Sequence, residues 1–74
     1  DGADLLEMRV GRGSIAAGHM LHEIAWPQGA VVVGQMRGIH AGVPGPDDVL
    51  LAGDHVYAVV SHEARKAFVR LLEA

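Results

Sequence analysis

The chain has 74 residues, half of them hydrophobic, no cysteine, and six Lys plus Arg against nine Asp plus Glu, for a formal net charge of −3. That length makes one domain, residues 1–74, near the lower limit at which a single core offsets chain entropy, and without thiols neither a disulfide nor a thiolate zinc site can support it. An acidic balance offers no basic field for nucleic acid or an anionic membrane, and no apolar run approaches the roughly 20 residues that span a bilayer, so neither a nucleic-acid partner nor direct membrane insertion is expected.

From Leu5 to Val10, the apolar Leu6, Met8 and Val10 alternate with Glu7 and Arg9, the period-two pattern of a strand with one buried face. Gly11 and Gly13 end it. Ser14 is a good N-cap, and Ala17, Gly18, Leu21, Ile24 and Ala25 follow at helical spacing, so a first helix is expected before Trp26-Pro27-Gln28-Gly29 breaks the pattern. Trp26 reads as a buried anchor at the end of that helix. The β-branched run from Ala30 to Met36 and the alternation through Ile39, Ala41 and Val43 form a hairpin about Arg37-Gly38. Pro44 to Asp48 is a rigid polar loop, Val49 to Leu51 reads as a short apolar edge segment, and Gly53-Asp54 turns into a strand from His55 to Val60. Ser61 caps a last helix whose apolar stripe is Ala64, Ala67, Phe68, Leu71 and Leu72. The order β-α-β-β-(β)-β-α, rich in hairpins, predicts an α+β fold with an antiparallel or mixed sheet and two helices. A second copy is the simplest support for so small a core, which makes a homodimer the expected state. A first residue of Asp1 in place of Met suggests either a domain excised from a longer chain or a trimmed product.

Three chemistries are tested by these residues. Gly11-Arg12-Gly13-Ser14-Ile15-Ala16 follows a strand and matches the G-x-G-x-x-A form of the dinucleotide fingerprint, with Arg37 as the residue for a nucleotide phosphate, but a strand carrying Asp4, Glu7 and Arg9 is too polar for the centre of a parallel sheet. His19, His22 and Glu23 would share one face of the first helix and could hold a metal, but no further ligand stands nearby and a solvated helix face is the favoured reading, since exposed His and Glu are ordinary there. Ser14, Ser61 and Tyr57 are the available hydroxyls, and both serines occupy cap positions, so no catalytic triad emerges and an enzyme is not expected. Asp47, Asp48 and Asp54 read as turn residues and not as a calcium loop.

Ser14, Gly18, Leu21 and Ile24, then Val31 to Arg37-Gly38, then Pro44, Pro46, Asp47, Leu50 and Gly53-Asp54, stand in an order and spacing that resembles the RCK_C (TrkA-C) domain from Leu6 to Leu72. His55 departs from the pattern, in which an apolar residue more often follows Gly-Asp. The resemblance implies a dimeric, ligand-sensing regulatory domain on the cytoplasmic side of the membrane. It would control a potassium channel, uptake system or cation/proton antiporter through a membrane-embedded subunit, and some branches take cyclic di-AMP as effector at the dimer interface. By position in the family pattern, the effector contacts would be Val31, Val32, Arg37, Ile39 and Val43, with the valines and Ile39 on purine faces and Arg37 gripping a phosphate bidentately. The same valines could equally be core, and Arg37 could equally solvate the hairpin end.

Overall fold

Four strands, Ala3–Arg9 (β1), Ala30–Arg37 (β2), His40–Gly42 (β3) and His55–Ser61 (β4), pair antiparallel throughout in the order β1-β4-β2-β3. The molecule is seen in a computed structural model that describes residues 2–73; Asp1 and Ala74, the two ends of the expected domain, lie outside the described residues. The expected α+β class with an antiparallel sheet is what forms. β4 sits at the centre because its alternation is the cleanest in the chain: Val56, Ala58 and Val60 are buried while Val59 between them is exposed.

One face of the sheet is covered by the helix Arg65–Leu72 (α1) and by the long connection from Val10 to Gly29. Phe68, Leu71 and Leu72 of α1 join Val10, Ala16, Leu50, Val56 and Val60 in the core, with Phe68 and Leu72 fully buried. Trp26 is half-buried: its ring lies 6.0 Å from that of Phe68 at 27°, and its Nε1 donates to the Leu21 carbonyl at 3.0 Å. Ser61 caps the start of the last helical segment, its Oγ accepting from the Ala64 amide at 3.2 Å, as the sequence implies. Ala67, however, lies on the exposed side of α1 and not in its apolar stripe.

The expected first helix does not form. Between Ser14 and Ala25 the chain makes successive turns with only a single 3-10 turn, Leu21–Glu23. Gly18 stands at φ +84°, a left-handed conformation that ends any right-handed helix there. The amides that would have bonded within the helix instead cross to the 44–50 loop: Gly18 donates to Leu50, Leu21 to Asp48 and His22 to Pro46, and Leu50 donates back to His19. Of the residues at helical spacing only Ile24 is buried, with Ala17 and Leu21 half-buried and Gly18 and Ala25 exposed, and they serve a layered loop in which Ala16 is buried as well. The expected edge segment at Val49 to Leu51 reduces to one bridge, Met20 to Val49, with Leu50 buried beneath it. No helix among the described residues is long and apolar enough to cross a membrane.

The opposite sheet face has no covering element among the described residues. Register places Leu5, Val59 and Val31 side by side across β1, β4 and β2, all of them exposed, with Val33 exposed beyond them.

Candidate functional site

β2 does not keep its alternation. Val32 pairs with Ala58 and Gly34 with Tyr57, so Val33 is the extra residue of a β-bulge. Strict alternation would put Arg37 on the same face as Val31. The bulge reverses that parity, so Gln35, opposite the buried Val56, turns toward the covered face, and Arg37 two residues on turns with it. Both side chains thereby reach Asp54.

Asp54 is the most buried charged residue, at 1% exposure, and its carboxylate is fully engaged. Oδ1 accepts from Arg37 Nε at 2.8 Å. Oδ2 accepts from Arg37 Nη2 at 2.8 Å, from Gln35 Nε2 at 2.9 Å and from the Leu51 amide at 2.8 Å. Arg37 Nη2 also donates to the Val49 carbonyl at 2.9 Å, and Gln35 Nε2 reaches the same oxygen at 3.3 Å. The hydrogen bonds from Arg37 bring the Asp54 carboxyl from 3.8 down to about 2 against the opposing effect of burial, and the Leu51 and Gln35 donors assist. The same contact holds the Arg37 guanidinium above the ordinary arginine range.

Arg37 opens onto a cleft of about 400 Å³ between the β2–β3 hairpin and the following loop, lined also by Gln35, His40, Val43, Pro44, Asp48 and Val49. Asp48 is fixed there by accepting from the Gly45 amide at 2.6 Å. Since Arg37 is matched by Asp54 and Asp48 adds a further negative charge, the cleft is not a basic pocket. It would recognise a ligand by directed hydrogen bonds and apolar contact, more than by net field.

Of the five residues proposed from the sequence, Arg37 and Val43 line this cleft, Val43 being 80% exposed. Ile39 stands on the hairpin turn at 92% exposure, Val31 lies on the uncovered sheet face, and Val32 packs against the core. Val31 and Arg37 thus project from opposite faces of β2. Asp54 and Gln35, which hold Arg37, carry no signal of that role in the sequence, where Asp54 reads as a turn residue. Gly53 at φ +93° does make that turn, but the carboxylate turns inward.

The two other chemistries find less support in the geometry. Gly11 to Ala16 leads into turns and not a helix, β1 is an antiparallel edge strand, and the Gly11 amide is committed to the Leu72 carbonyl at 2.8 Å. Without the first helix, His19 and His22 take separate partners: His19 Nδ1 lies 3.7 Å from Glu23, and His22 Nε2 lies 3.7 Å from Asp47. Among the described residues no group of three His, Asp or Glu side chains is placed to hold a metal ion.

The family model of the TrkA-C domain matches residues 5–73, so the chain belongs to the TrkA-C (RCK_C) family of regulatory domains. Among solved structures it is similar to the RCK_C domain dimer of S. agalactiae BusR in complex with c-di-AMP, at 25% identity and a TM-score of 0.79, with 92% of this chain and 93% of that one covered. It is also similar to S. agalactiae BusR in complex with its busAB-promotor DNA, at 27% identity and a TM-score of 0.72; the match covers 90% of this chain but 36% of that longer one. No curated protein sequence matches. The promoter complex overturns the expectation of no nucleic-acid partner. That expectation rested on the charge of one small module, and such an argument does not extend to the rest of a longer protein.

Proposed function

We propose that this domain is the effector-sensing, dimer-forming part of a regulator of potassium or other cation transport, and that its effector is cyclic di-AMP. The observation that carries the reading is the pairing of a near full-length structural match to a c-di-AMP-bound RCK_C dimer with a solvent-open cleft built around an immobilised arginine. Two copies pack through the uncovered sheet face, where Leu5, Val59 and Val31 form an apolar row. A ligand bound across a two-fold axis then favours one relative orientation of the subunits, and its differential affinity for that orientation is the signal. Arg37 and Val43 contact the effector from the cleft, with Ile39 as an exposed apolar contact on the adjoining hairpin turn, while Val31 belongs to the dimer face and Val32 to the core.

A second reading concerns the output. The BusR structure with promoter DNA favours regulation of transcription, in which effector occupancy alters DNA binding by a longer chain and not a transport protein directly. Thermal unfolding of the 74-residue chain with c-di-AMP, with c-di-GMP as control, tests the sensor. A dose-dependent rise in Tm that is selective for c-di-AMP and lost in Arg37→Ala supports it, since a ligand bound only by the folded state stabilises by mass action. An equal rise with both dinucleotides, or none with c-di-AMP, rejects it. Repeating the comparison with the parent protein, scoring ion flux against promoter binding, separates the two outputs.

A further inference from the structure

The way Arg37 is held determines how it can meet a ligand. Its Nε–H and one Nη2 proton are given to Asp54, and the second Nη2 proton goes to the Val49 carbonyl. Among the described residues only Nη1 is left without a hydrogen-bond partner. An arginine usually grips a phosphate through two parallel N–H groups, either Nε with Nη2 or Nη1 with Nη2, and both forks require an Nη2 proton that is already committed here.

We propose that Asp54 is a positioning residue for the effector cleft, fixing the Arg37 guanidinium so that a phosphate is met by its Nη1 edge alone. The inference rests on the cleft being the effector site. It differs from the bidentate grip expected from the sequence. Asp54 itself does not reach the ligand; it is buried beneath the arginine, and its own position is set by the Leu51 amide and Gln35. The half-exposed Arg37 side chain would otherwise sample many rotamers, and ordering it on binding would weaken affinity about tenfold.

Solution NMR of the 15N-labelled chain reads this directly from the arginine side-chain signals. In the wild type the Arg37 guanidinium should rotate slowly, giving separate Nη1 and Nη2 protons, and titration with inorganic phosphate or with c-di-AMP should shift the Nη1 protons while leaving Nε–H in place. In Asp54→Asn the Nη signals should average and c-di-AMP affinity should fall about tenfold, with the backbone spectrum otherwise kept. Unchanged affinity in an Asp54→Asn chain whose Arg37 signals have averaged would overturn the inference. Should that variant not fold, the wild-type titration decides alone: a ligand that shifts Nε–H and Nη2, or leaves Nη1 unmoved, overturns it. Phosphate acting on Nη1 while c-di-AMP does nothing would reject the proposed effector and leave the positioning role standing.

Discussion

Asp54 shows what a single buried carboxylate contributes when both of its oxygens accept hydrogen bonds. Its folded carboxyl titrates at about 2 and its unfolded one at 3.8, so between those values the unfolded chain holds more protons. The stabilisation is therefore complete above about pH 4 and is lost as pH falls through about 2, with a size on the order of 2 kcal/mol. Asp54→Asn should remove that acid-dependent component and lower stability at neutral pH by a similar amount or more, because Arg37 and the Leu51 amide lose a charged acceptor. Urea unfolding of both chains between pH 2 and 7 checks this; parallel pH profiles would contradict it. Arg37 and the Gly53-Asp54 turn were both legible in the sequence, but their pairing was not. It depends on the bulge at Val33, and an uninterrupted β-branched run carries no mark of where one residue will drop out of register.

The elements divide according to how much their form depends on partners distant in sequence. β1, β4 and α1 follow their own periodicity and were readable, since each presents one apolar face to one core. The 14–25 segment shows the same apolar spacing, yet its backbone amides find carbonyls in the 44–50 loop, and helical spacing cannot distinguish those two outcomes when a glycine sits in the middle. Gly29 is the tightest junction between elements: it lies at φ +95°, and a Cβ there would collide with Ser61 Oγ, the cap of the final helical segment. Gly29→Ala should cost about 2 kcal/mol through strain and loss of the cap, lowering Tm by roughly 10 °C in a chain of this size. At Gly18 the φ is also positive but no atom lies within 4 Å of an added Cβ, so Gly18→Ala should cost about half as much. Thermal melts of the two variants give the order; a Gly18 variant that melts below the Gly29 variant would contradict it.

At the scale of the whole molecule, one sheet face is covered and the other presents Leu5, Val59 and Val31 to solvent, which suits a chain too small to be supported by its own core alone. Val59→Lys, at the centre of that row, should leave the fold intact because the side chain points away from the core, and should shift the chain from dimer to monomer in sedimentation velocity at micromolar concentration. A dimer unaffected by this charge would place the interface elsewhere. The regulatory family was legible from motif order and spacing, because turn glycines and prolines keep fixed separations in a small fold. The nucleic-acid association of a relative was not legible, because composition reports on the module in hand. A two-fold dimer should take a two-fold ligand across its axis, and calorimetric titration of c-di-AMP into the chain measures that stoichiometry. One ligand per two chains is expected, with binding weakened by Arg37→Ala and by Val59→Lys alike; one ligand per chain, or heat of binding that survives in the Val59→Lys monomer, would rule out a site shared across the two-fold axis.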